Sequence, residues 1–168
     1  MSEQLSPLVP ILMGSKSDQE HGKAIARALA TFGLASHLRV ASAHKVPEYL
    51  LTLLREYEAD PRPKVYITVA GRSNALSGLV DAQVSAPVIA CPPLSSTFAG
   101  ADIFSSLRMP SGVAPAVVLE PAAAALLAAK ILGVAHADVR ERVVAYQQSV
   151  AEKVIADDTT VSSARGIL

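Results

Sequence analysis

Tryptophan is absent from the 168 residues and cysteine occurs once, at Cys91, which excludes an intrachain disulfide and a cysteine-cluster zinc site and fits a reducing, cytoplasmic setting. An excess of charge of either sign is also missing. Fifteen Lys and Arg residues balance fifteen Asp and Glu residues with no basic block, so no electrostatic footprint for nucleic acid or an anionic membrane is present. Long apolar runs are lacking too: the stretch from Val113 to Leu132 is interrupted by Pro115, Glu120 and Pro121 and does not read as a membrane span. Met1 to Ser6 offer neither a basic start nor an apolar centre, so no signal peptide is expected there. No His/Asp/Glu set has metal-ligand spacing, and no serine sits in a nucleophile elbow.

What is present is apolar and small. Half the residues are hydrophobic but only 4% are aromatic, a composition suited to a sheet covered by closely packed, alanine-rich helices. Short apolar runs at Leu8 to Met13, Ser36 to Ala41, Val65 to Ala70, Pro87 to Ala90 and Ala116 to Leu119 read as strands. Helical patterns separate them. Ser17 and Glu20 have capping-box spacing before a helix from Asp18 to Phe32 that Gly33 stops. Leu50, Leu53, Leu54 and Tyr57 form the stripe of a second helix, which Pro47 opens, and Ala75, Leu76, Leu79 and Val80 belong to a third. Leu94 to Ser111 reads as a loop with one short helix at Ala101 to Leu107; Pro121 starts a further helix that Gly133 ends. A last helix, Ala137 to about Ala156, carries Val139, Val143, Val150 and Val154 on one stripe.

This alternation predicts an α/β fold: a flavodoxin-like three-layer sandwich with a five-stranded parallel sheet and an extra C-terminal helix. Residues 7–156 are expected to form one domain and 157–168 a flexible tail. The valine stripe, left over once the sandwich is complete, predicts packing on a neighbouring subunit.

In such a sheet, ligands bind at the carboxyl ends of the strands, where the loops after the first three strands converge. The first, Gly14-Ser15-Lys16-Ser17-Asp18, combines a glycine, two hydroxyls and a helix amino end, a set that binds phosphate through backbone amides or simply starts a helix. Asp18 could take ribose hydroxyls. The second, Ser42-Ala43-His44-Lys45, offers an imidazole for proton transfer and an ammonium for an anion. The third, Ala70-Gly71-Arg72-Ser73-Asn74, is an ordinary turn capped by Ser73 or Asn74, or a polar wall in which Arg72 holds a carboxylate. His21, His37 and His136 are not expected to share the edge with His44. From the residues alone, the reading is a domain that binds a phosphorylated small molecule, with His44 as candidate acid/base.

These loops, together with Met13, Cys91-Pro92-Pro93-Leu94 and Ser105-Ser106-Leu107-Arg108-Met109-Pro110-Ser111-Gly112, resemble the phosphoribosylaminoimidazole carboxylase family of purine biosynthesis over about residues 8–133. The commoner bacterial class of that family is a mutase acting on a carbamate. Lys45 after His44, and Arg72-Ser73-Asn74 followed by Ala75-Leu76-Ser77-Gly78, look instead like the second class, which carboxylates aminoimidazole ribonucleotide directly with carbon dioxide and uses no cofactor. The resemblance implies that Ser15, Ser17, Asp18 and Lys45 hold phosphate and ribose. It implies that Ser42, Gly71, Arg72 and Ser73 line the base and carbon dioxide pocket, with Gly14 and Ala70 completing the substrate-binding set. His44 is then the proton carrier, no metal takes part, and the assembly is a homo-octamer. The alternatives are the carbamate mutase, a related enzyme acting on another nucleotide, and a non-catalytic nucleotide-sensing or receiver-like module. The last lacks the acidic cluster and phosphorylatable aspartate that a receiver needs.

Overall fold

The computed structural model describes residues 5–95 and 97–163. Its five strands are β1 (Leu8–Met13), β2 (Ala35–Val40), β3 (Tyr66–Val69), β4 (Val88–Ala90) and β5 (Ala116–Val117). They form one parallel sheet in the order β2-β1-β3-β4-β5, the flavodoxin-like order, whose direction of winding reverses between β1 and β3. β1 is wholly buried and alternates between the two faces. Val9, Ile11 and Met13 enter one core with Ile25, Leu29 and Phe32; Leu8 and Leu12 enter the other with Leu50, Leu53, Leu54 and Tyr57.

Pro10 stands in this central strand, a position that ordinarily costs a ladder bond. The N–H groups of Leu8 and Gly14, two and four residues away, point toward β3 and donate to Pro63 O and Val69 O. Pro10 would donate on that same side. On either side of the proline β1 makes an isolated bridge, Leu8↔Lys64, and a ladder to β3 from Ile11↔Ile67, while β3 itself starts at Tyr66, paired with Val88 of β4, rather than at Val65 as expected.

Among the described residues, the α-helices around the sheet are α1 (Gln19–Thr31), α2 (Pro47–Ala59), α3 (Ala75–Asp81), α4 (Phe104–Leu107), α5 (Pro121–Gly133) and α6 (Ala137–Ser163). The alanine face of α5, with Ala124, Ala125, Ala128 and Ala129 fully buried, shares the first core with α1. Gly33 ends α1 at φ 68°, with Leu34 N donating to Leu29 O and Gly33 N to Ala30 O, which closes the helix as the sequence predicts.

Three further details differ from the sequence reading. Ser17 and Glu20 do not make a capping box: a 3-10 turn, Lys16–Asp18, precedes α1, Ser15 Oγ accepts from Ser17 N at 3.2 Å, and Glu20 pairs with Lys23 instead. Gly133 does not adopt a left-handed terminal conformation. It is the last residue of α5, where a Cβ would lie 3.2 Å from Arg140 Cα of α6, so the glycine permits the close approach of the two helices. α6 does not stop near Ala156 but continues to Ser163, and residues 164–168 of the expected tail lie outside the described residues. Its first half folds back on the domain, with Val139 and Val143 in the first core. Val150, Val154, Ile155 and Val161 are 47 to 67% exposed.

Candidate active site

Parallel pairing brings the carboxyl ends of β1, β2 and β3 side by side. Ala41 N continues the ladder to Met13 O at 2.8 Å and Gly14 N to Val69 O at 2.9 Å, so the three following loops leave the sheet together at the β1/β3 reversal. They surround one cavity of about 580 Å³. Every candidate lines it: Gly14, Ser15, Ser17 and Asp18 from the first loop, Ser42, His44 and Lys45 from the second, and Ala70, Gly71, Arg72 and Ser73 from the third.

Each loop is held by its own polar groups. In the first, Ser15 Oγ also accepts from Ser17 Oγ at 2.9 Å, and Asp18 N donates to Ser15 O, so both hydroxyls and the carboxylate belong to one tight turn. Burial pushes the Asp18 carboxyl above its ordinary value; the Ser15 backbone and the nearby His21 and Arg72 pull the other way without cancelling it. In the second loop, Ser42 Oγ accepts from Lys45 N at 3.3 Å and Ser42 O from Val46 N at 3.0 Å, which leaves His44 and Lys45 exposed at the turn before Pro47 opens α2.

The third loop divides its labour. Asn74 is buried and structural: its Oδ1 accepts from Ser77 N to cap α3, and its Nδ2 donates to Ser106 Oγ at 2.9 Å. Arg72 and Ser73 remain as the exposed wall of the cavity, with Arg72 in the left-handed region at φ 60°.

The sequence reading did not assign site positions to Ala43, Leu76, Pro93, Leu94, Ser95 and Thr97, which line the same cavity. Four of these follow β4, whose carboxyl end lies on the same edge; extending the strand-end rule to the fourth strand would have found them. His21 also departs from expectation. It lies beside Cys91, just past the carboxyl end of β4, with Nε2 3.3 Å from Cys91 Sγ, and burial lowers its pKa. Burial, with Glu120 nearby, pushes the Cys91 thiol up to about 12, so it is a packed neutral thiol and no nucleophile. Among the described residues, no group of three or more His, Cys, Asp or Glu is gathered as a metal site, and no helix is long and apolar enough to cross a membrane.

A β2-β1-β3-β4-β5 sheet with a polar cavity of this size at its reversal point defines an α/β protein of the flavodoxin-like type, built to take a small polar ligand. The family model described as AIR carboxylase matches residues 8–153, and the chain belongs to that family of enzymes. It is 56% identical to the phosphoribosylaminoimidazole carboxylase of Treponema denticola over 92% of this chain and 98% of that one. It is 55% identical to the protein of the same name from Archaeoglobus fulgidus, over 88% of this chain and 81% of the other. The crystal structure of Treponema denticola PurE superposes with a TM-score of 0.90 at 56% identity, covering 92% of this chain and 98% of that chain.

Proposed function

We propose that this protein carboxylates aminoimidazole ribonucleotide reversibly with dissolved carbon dioxide, giving carboxyaminoimidazole ribonucleotide in purine biosynthesis. The observation that carries the reading is the single cavity in which the Ser15–Asp18 turn, the His44-Lys45 pair and the Arg72-Ser73 wall meet. The hydroxyls of Ser15 and Ser17, with Lys45, bind the phosphate, and Asp18 takes ribose hydroxyls. Ser42, Gly71, Arg72 and Ser73 enclose the base and carbon dioxide.

The aminoimidazole ring is an enamine-like nucleophile. Its ring carbon attacks carbon dioxide, a carbon–carbon bond forms, and one C=O π pair becomes the second carboxylate oxygen's charge. The ring C–H bond then breaks and returns its electrons to the ring, while His44 accepts the proton and passes it to solvent. Ribonucleotide and carbon dioxide thus become carboxylated ribonucleotide and one proton, with no other reactant. The protein has only to orient two small molecules and supply one base.

His44→Asn keeps size and polarity but cannot exchange a proton near neutral pH. Turnover of aminoimidazole ribonucleotide with bicarbonate should fall by about a hundredfold or more in this variant, while calorimetry still records nucleotide binding. Near-normal turnover would remove His44 from the reaction.

The assembly belongs to the same proposal. Val150, Val154, Ile155 and Val161, along the second half of α6, are not covered by the described residues, and a homo-octamer in which this half packs on neighbouring chains would cover them.

A further inference from the structure

The left-handed Arg72 is the strained point of the site. An L side chain at φ 60° relaxes to a right-handed or extended conformation unless its surroundings hold it, and relaxation would swing Arg72 and Ser73 off the cavity wall. What holds it lies thirty residues away. Arg72 N donates to Asp102 Oδ2 at 2.8 Å. Ser105 Oγ accepts from Asn74 N at 3.0 Å and shares its one proton between Asp102 O at 2.8 Å and Arg72 O at 3.2 Å. A Cβ built on Gly71 would lie 3.6 Å from Asp102 Oδ2 and 3.5 Å from Pro93 Cγ, so loop and clamp are in direct packing contact. The clamp also reaches the other cavity wall. Asp102 follows the left-handed pair Ala99, at φ 49°, and Gly100, at φ 80°, which end the loop carrying Leu94, Ser95 and Thr97 along the cavity.

We propose that Asp102 is a positioning residue of the substrate site. It does not line the cavity described above; it acts through the Arg72 main chain, pinning the left-handed turn so that Arg72 and Ser73 face the base and carbon dioxide, and it ties that turn to the loop after β4. The inference rests on the proposed carboxylation only for its activity readout. The required feature is a hydrogen-bond acceptor at one distance, not a negative charge. Asparagine keeps an oxygen there; glutamate keeps the charge but carries it one methylene too far.

The test compares intact wild-type protein with Asp102→Asn, Asp102→Glu and Asp102→Ala. In Asp102→Ala and Asp102→Glu, hydrogen exchange of the peptide bearing the Arg72 amide should accelerate, and kcat/KM for aminoimidazole ribonucleotide should fall by about ten- to a hundredfold, the scale of a misplaced site. Asp102→Asn should stay within about threefold of wild type in both readouts, because its oxygen can still accept the bond. Should Asp102→Ala not fold, the Asn and Glu variants decide. Retained activity in Asp102→Glu with loss in Asp102→Asn would show that charge matters and overturn the clamp, as would wild-type exchange or wild-type kcat/KM in Asp102→Ala. Exchange needs no turnover. A wild-type protein inactive on this substrate would therefore overturn the functional reading alone, leaving the clamp to be judged by the amide.

Discussion

At the scale of the residue, Asp18 shows how a group lining the cavity can work against the fold that holds it. Its native carboxyl titrates above the ordinary value of 3.8 because burial disfavours the ion. The sign follows: the native state holds the proton more tightly than the unfolded chain, so the stability this group contributes is complete below pH 3.8 and is lost as pH rises through the native pKa. At neutral pH the ionised carboxylate costs stability, and Asp18→Asn should melt at or above the wild-type temperature at pH 7. The gain should vanish toward pH 3.8 and below, where both side chains are neutral. Affinity for aminoimidazole ribonucleotide should drop by about tenfold in the same variant, the cost of one charge-assisted hydrogen bond. Thermal scans at both pH values with calorimetry check this, and a lower melting temperature at pH 7 would contradict it. As lining of the cavity, Asp18, His44 and Arg72 were legible in the sequence, because each follows an apolar run that forms a strand of the sheet. Asp102 was not, because its partner is thirty residues away and no local pattern announces the contact.

At the scale of the element, the contact between α5 and α6 turns on Gly133. Alanine there would favour the helix by about 1 kcal/mol over glycine. Its Cβ, however, would sit 3.2 Å from Arg140 Cα and 3.3 Å from Arg140 N, which are backbone atoms that cannot swing aside. Overpacking of this kind costs about 1–3 kcal/mol. Gly133→Ala should therefore lower stability by about 1 kcal/mol net, a shift of about 2–4 °C in Tm for a chain of this length. A rise in Tm would mean that α6 yields without cost. The sequence announced a glycine at a helix end, and at Gly33 that reading holds. At Gly133 the same signal has another cause, and only the position of α6 tells the two apart. Helix starts behave alike: Ser17 and Glu20 had the spacing of a capping box, but the Ser15 hydroxyl takes the Ser17 amide first and opens a 3-10 turn.

At the scale of the whole molecule, the five-stranded parallel sheet with its flanking helices follows from the alternation of apolar runs with helical stripes, whereas the length and fate of α6 do not. A helix of 27 residues whose second half exposes Val150, Val154, Ile155 and Val161 looks in sequence like one that ends early and frays. Light scattering should report a multiple of the chain mass, with eight copies expected, and Val150→Asp combined with Val154→Asp should lower it. A single-chain mass for the intact protein would contradict the assembly. The chemistry of the site is tested most directly by the source of the new carboxyl carbon. In single turnovers of aminoimidazole ribonucleotide with isotopically labelled bicarbonate, label should enter carboxyaminoimidazole ribonucleotide, and the carbamate isomer supplied alone should be converted little or not at all. Efficient conversion of the carbamate, with no label in the product from bicarbonate, would contradict direct carboxylation.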